Sequence, residues 1–126
     1  MPKAIYDVKA EYFKALGHPA RIRILELLGD GECSVGELIA DLGLEQSNVS
    51  QQLAVLRERG LIESRRDGAI VQYWIKDQRT LQVLALTKEI LTSALTETRD
   101  LLTDLEGLRF DRPKPSRKRS KGDSAS

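Results

Sequence analysis

The chain has 126 residues, 40% of them hydrophobic, which suits one domain with a buried core. No apolar run approaches the ~20 residues that span a bilayer, the opening MPKAIYDVKAEYF lacks the apolar stretch and cleavage site of a secretion signal, and a single cysteine closes no intramolecular disulfide; the expectation is a cytoplasmic protein without a membrane partner. The formal charge of +1 conceals an asymmetry: Arg109, Arg112, Lys114, Arg117, Lys118, Arg119 and Lys121 against Asp111 and Asp123 make residues 109–126 basic, while the preceding body is mildly acidic.

Residues 5–16, IYDVKAEYFKAL, place Ile5, Val8, Tyr12 and Leu16 at helical spacing. Gly17 is a stop able to take the left-handed conformation. His18 then stands at an N-cap position with Pro19 at the first helical residue, which favours capping over ligation for the chain's one histidine. PARIRILELL repeats Ile22, Leu25 and Leu28 on one face, and GDGE at 29–32 breaks this second helix. Ser34 and Glu37 have capping-box spacing at the start of a third, whose buried stripe is Val35, Leu38, Ile39 and Leu42. Gly43 ends it, and QSNVSQQLAVLRERG forms a fourth with Val49, Leu53 and Leu56 inward.

LIESRR and AIVQYWI, joined by Asp67-Gly68, read as a two-stranded hairpin, with Tyr73 and Trp74 packing on opposite faces. From about Arg79 to Leu105 a long helix repeats Leu84, Leu91, Thr98 and Leu105 every seven residues, beside a second row of Ala94, Leu101 and Leu108. Such rows fit a seam between two copies better than a ligand pocket. Residues 1–108 are therefore read as one domain and 109–126 as a disordered basic tail, which either touches DNA or serves as a solubilising extension.

Helix, glycine turn, helix and basic hairpin in that order define a mainly α fold: a winged helix-turn-helix of about five helices with a two-stranded β-hairpin wing. A steep helix pair presents its second helix to a major groove about 12 Å wide. The outward residues of that helix, Gln46, Ser47, Asn48, Ser50, Gln51 and Gln52, are uncharged and both donate and accept hydrogen bonds, as base edges require. Arg57 and Arg59 at its far end, with Arg65 and Arg66 near the hairpin tip, supply cations for phosphate or a narrow minor groove.

These motifs, FKALGHPARIRILELL and SVGELIADLGLEQSNVSQQLAVLRERGLIESRRDGAIVQYWI, resemble the core of the ArsR/SmtB winged-helix repressors over roughly residues 8–95. The resemblance implies a homodimer joined through its first and last helices, here Ile5, Val8, Tyr12, Leu84, Leu91 and Leu95. It implies repression that an inducer relieves. It places Gln46, Ser47, Ser50 and Gln51 at base-reading positions and Arg65, Arg66 and Gly68 in the wing.

Metal-sensing members carry cysteines in stretches such as ELCVCDL. Against SVGEL those cysteines fall on Ser34 and Gly36, so Cys33 is one place too early, and the family's last-helix histidines are missing. A thiophilic site needs two or more soft ligands. No metal, cofactor or catalytic residue is therefore assigned, and the inducer is left unidentified; Cys33 is a small residue before a cap or a redox thiol. No nucleophile–base pair or phosphate-cradling loop suggests an enzyme. The expected function is a DNA-binding repressor acting on an inverted-repeat operator in double-stranded DNA. The alternative is a winged-helix protein-interaction module without a specific operator.

Overall fold

Capping chemistry sets most of the boundaries in the computed structural model, which describes residues 4–110 and the side chains of 4–107. The basic tail expected over 109–126 lies outside them from residue 111 onward. Helix α1 spans Ile5–Leu16 and α2 spans Pro19–Gly29. Between them His18 caps α2: its Nδ1 accepts the Ala20 N–H at 3.1 Å, which leaves the proton on Nε2. Gly17 does not use the left-handed region expected of it; at φ −88° it closes α1 by donating its N–H to Lys14 O.

The two-residue strand β1 (Cys33–Ser34) runs directly into α3 (Val35–Leu42). The capping box forms as the spacing predicts: the Glu37 N–H donates to Ser34 Oγ at 3.2 Å, and the Ser34 N–H donates to Glu37 Oε1 at 2.9 Å. Gly43 ends α3 at φ 68°, where a β-carbon is strained. Then come α4 (Gln46–Glu58), β2 (Ile62–Asp67), β3 (Ile70–Ile75) and α5 (Arg79–Phe110).

The expected two-stranded hairpin wing forms from β2 and β3, and the short β1 adds to its β3 edge, giving a three-stranded antiparallel sheet of order β1-β3-β2. Cys33 pairs with Tyr73 and Ser34 with Gln72, and a strand this short carries no alternation by which to recognise it. Asp67 pairs with Ile70, so the turn is Gly68-Ala69, one residue beyond the Asp-Gly step, with Gly68 at φ 64°.

The described residues form two compact units, one ending at Thr87 and one beginning at Lys88. In the first, Leu16, Ile24, Leu25, Leu28, Leu38, Leu42, Val49, Leu53, Leu56, Ile62 and Ile75 join one core. Helix α2 packs against α3, α4 and β3, so its buried stripe is wider than the sequence rows indicate: Ile24 and Leu25 are both fully buried, while Ile22 is half-buried. Leu84, expected at a dimer seam, is 9% exposed and belongs to this core. In the second unit α5 continues to Phe110, so a domain boundary at 108 falls within a helix. There Ile90, Leu91, Leu95, Leu101, Leu102 and Leu105 are all exposed. No described helix is long and apolar enough to cross a membrane.

The structure ranks local against tertiary contributions. Ser34→Ala removes one cap bond and should cost about 1 kcal/mol, whereas Leu56→Ala, emptying a fully buried position, should cost about 2–5 kcal/mol; urea unfolding of both variants checks the order.

Candidate nucleic-acid interface

Only Gly43, Leu44 and Glu45 separate α3 from α4. The left-handed Gly43 reverses the chain there, and its N–H returns to Ile39 O at 2.9 Å. Helix α4 then settles on α2 and α3 through Val49, Leu53 and Leu56, which are 0, 2 and 0% exposed. Burial of that stripe fixes the helix's rotation and so decides what faces water. Gln46, Ser47, Ser50 and Gln51 are exposed, Asn48 is half-buried, and Arg57 is exposed in the last turn. Five short or amide side chains thus stand together at one end of the helix with a cation at the other.

Gln52 departs from the outward face expected of it. It is 7% exposed, and its Oε1 accepts from Arg21 Nη1 at 2.8 Å while its Nε2 donates to Asn48 Oδ1 at 3.0 Å. A buried amide needs such partners. The one from Arg21 comes from α2, so no local pattern announces it.

The two wing arginines differ. Arg65 grips Glu32 with both Nη atoms, at 3.0 and 2.9 Å, places Nε 3.2 Å from Asp67 Oδ2, and lies over the Trp74 ring at 5.2 Å. That hydrogen bonding holds the Glu32 carboxyl below its ordinary range and raises the Arg65 guanidinium. Trp74 itself donates Nε1–H to Glu63 at 3.3 Å. Arg66, on the opposite face of β2, is exposed and has no ion-pair partner among the described residues. Arg66 is therefore the wing arginine left exposed without an ion pair among the described residues, and Arg65 ties β2 to the residue before β1. At the base, Arg59 is engaged by Glu11 at 3.0 Å. Arg79 holds the Asp77 carboxyl down at about 2 by hydrogen bonding just before α5.

The remaining predicted residues fall in two places. Ile5 and Val8 are 60 and 48% exposed on α1, and Leu91 and Leu95 are 57 and 71% exposed on α5. Tyr12 is half-buried and shares a 3.1 Å hydrogen bond with Thr80, so it works largely inside the protomer, as Leu84 does. Among the described residues no three His, Cys, Asp or Glu side chains converge as metal ligands.

This geometry is that of a winged helix-turn-helix. The model of bacterial regulatory proteins of the arsR family matches residues 18–64. The HTH-type transcriptional regulator Rv0081 of Mycobacterium tuberculosis, itself uncharacterized, is 49% identical over 102 residues, which cover 80% of this chain and 90% of that one. Its crystal structure aligns at a TM-score of 0.70 and 48% identity, over 77% of this chain and 98% of that one. The solution structure of the homodimeric winged helix-turn-helix DNA-binding domain Mb0332 of Mycobacterium bovis aligns at 0.66 and 30% identity, over 74 and 86% of the two chains. The transcriptional repressor BigR of Xylella fastidiosa aligns at 0.63 and 36% identity, over 68 and 87%. The chain belongs to the arsR family of bacterial regulatory proteins: it is a DNA-binding transcriptional regulator, not an enzyme.

Cys33 sits in a setting that suppresses its reactivity. Burial raises the thiol's pKa, and the carboxylates of Glu37, Asp41 and Asp30 raise it further. A raised pKa leaves the thiol protonated at neutral pH, so thiolate chemistry emerges only above the ordinary range. The pH–rate profile of iodoacetamide alkylation should have its midpoint above that of free cysteine; a midpoint below it would mark an activated thiol.

Proposed function

We propose that the protein represses transcription as a homodimer bound to an inverted-repeat operator, in the cytoplasm, and that a signal other than the family's usual metal sites releases it. The observation that carries this is the division of α4 into a buried apolar face and an exposed uncharged polar face. Gln46, Ser47, Asn48, Ser50 and Gln51 offer donors and acceptors to base edges and no carboxylate to repel phosphate. Arg57 and Arg66 supply phosphate contacts, and Gly68 shapes the wing tip.

The partner for these faces is a second copy of the chain. Ile5 and Val8 on α1, and Leu91 and Leu95 on α5, leave apolar surface in water that a single chain does not cover. Two-fold pairing matches two recognition helices to the half-sites of an inverted repeat, whose centres lie one helical turn, about 34 Å, or a multiple of it apart. The repressor name of the relative BigR and the homodimeric state of Mb0332 support both parts of the reading.

Titration against an operator selected from random duplexes tests it. Gln51→Ala should cost about 1–3 kcal/mol at one operator position and relax preference there. Arg66→Ala should weaken binding to all sequences and reduce the slope of log affinity against log salt by about 0.9 for each phosphate left without its cation. Arg65→Ala should change that slope less, because Glu32 and Asp67 already match its charge. Unchanged preference for Gln51→Ala would remove α4 from the groove.

Assembly is tested separately. Leu91 is exposed in the protomer, so Leu91→Asp should leave the fold intact while giving monomers and abolishing operator binding together. Sedimentation at micromolar concentration checks this; a monomeric wild type would rule out the dimer.

A further inference from the structure

We propose that Arg21, acting through Gln52, dictates which atom of Asn48 faces DNA, so that Asn48 reads hydrogen-bond acceptors through its amide nitrogen. This rests on α4 being the DNA-reading helix and names the polarity of one of its readers.

A guanidinium has N–H donors and no acceptor. Arg21 places Nε 2.7 Å from Ala15 O and Nη2 3.2 Å from Lys14 O, carbonyls in the last turn of α1, and directs Nη1 to Gln52 Oε1 at 2.8 Å. Because Arg21 can only donate, Gln52 must present its oxygen. Its amide nitrogen is then committed to the other side, where it donates to Asn48 Oδ1 at 3.0 Å. Reversing either amide would set donor against donor in a site where Gln52 is only 7% exposed. The polarity imposed by Arg21 therefore propagates along the chain of three residues, and Asn48 must accept inward.

The consequence falls on Asn48 Nδ2. It has no hydrogen-bond partner among the described residues, and Asn48 is half-buried between the exposed Ser47 and the buried Val49. A free asparagine offers an oxygen and a nitrogen side by side and pairs bidentately with adenine N6 and N7. With its oxygen tethered to Gln52 Nε2, Asn48 is held away from that side-by-side geometry. It leaves the Nδ2 N–H donors unengaged, and these suit guanine O6 or N7, adenine N7, thymine O4 or a phosphate oxygen. Arg21 and Gln52 are positioning residues in this scheme; neither needs to touch DNA.

Gln52→Glu tests the relay. A glutamate still accepts from Arg21 but has no proton to donate, so the Asn48 amide must turn, give Nδ2–H inward and show Oδ1 to the DNA. Wild type, Gln52→Glu, Asn48→Ala and the double variant are each used to select duplexes from a random library and are titrated on the wild-type operator. The expected result is a loss of about tenfold or more in affinity for Gln52→Glu that largely disappears in the Asn48→Ala background. If Nδ2 meets a base, preference at one dyad-related position moves to a base that presents a donor. If it meets a phosphate, affinity falls alike for all sequences. Circular dichroism melting checks the fold. Should Gln52→Glu not fold, the uncharged Gln52→Met carries the test: it releases the Asn48 amide, and affinity or preference should change only while Asn48 is present. Identical binding by wild type and Gln52→Glu, or an equal loss with and without Asn48, would overturn the relay alone. No enrichment by the wild type would overturn the operator reading and the relay with it.

Discussion

Burial of Val49, Leu53 and Leu56 is the constraint on which the other features of the interface depend. Each is worth about 1.5–3 kcal/mol when removed from water, and all three are essentially inaccessible. Together they leave α4 one rotational setting. That setting puts Gln46, Ser47, Ser50 and Gln51 outward and Gln52 inward, so a buried apolar stripe decides which polar groups are exposed. The left-handed Gly43 ends α3, and the capping box at Ser34 fixes where α3 begins. The polar face proposed to read DNA is therefore set by packing.

The wing obeys the same division of labour. Alternation along β2 sends Arg65 and Arg66 to opposite faces. One is held by Glu32, Asp67 and Trp74; the other is exposed and is the arginine proposed to meet phosphate. Because Glu32 immediately precedes Cys33, the Arg65 pair joins β2 to the very strand that β3 pairs with on its other edge. Cys33 is thus the residue before the Ser34 cap, as expected, and also a strand residue in a sheet, its thiol pKa raised by burial and nearby carboxylates.

Elements governed by neighbours in sequence were legible from the sequence. His18-Pro19, Ser34 with Glu37, Gly43 and the helical rows each carry their own local chemistry, and the family match covers the stretch where they cluster. Features set by distant partners were not. Gln52 looks like its polar neighbours until Arg21, 31 residues upstream, claims its oxygen. Arg65 looks like Arg66 until Glu32, 33 residues away, grips it. Leu84 shares a seven-residue row with Leu91, yet it is absorbed by the core because the start of α5 is packed there. A two-residue strand has too few positions to show a period at all. The missed features are thus the ones in which a side chain's role is assigned by the fold.

The central claim, that the outward face of α4 and the wing form the DNA surface, is tested most directly by following backbone amide resonances as a selected operator duplex is added. The account predicts the largest shifts at Gln46, Ser47, Asn48, Ser50 and Gln51 and around Arg66 and Gly68, with the buried Leu53 and Leu56 little changed. Shifts centred instead on the exposed face of α1 or on α3, with α4 silent, would contradict it.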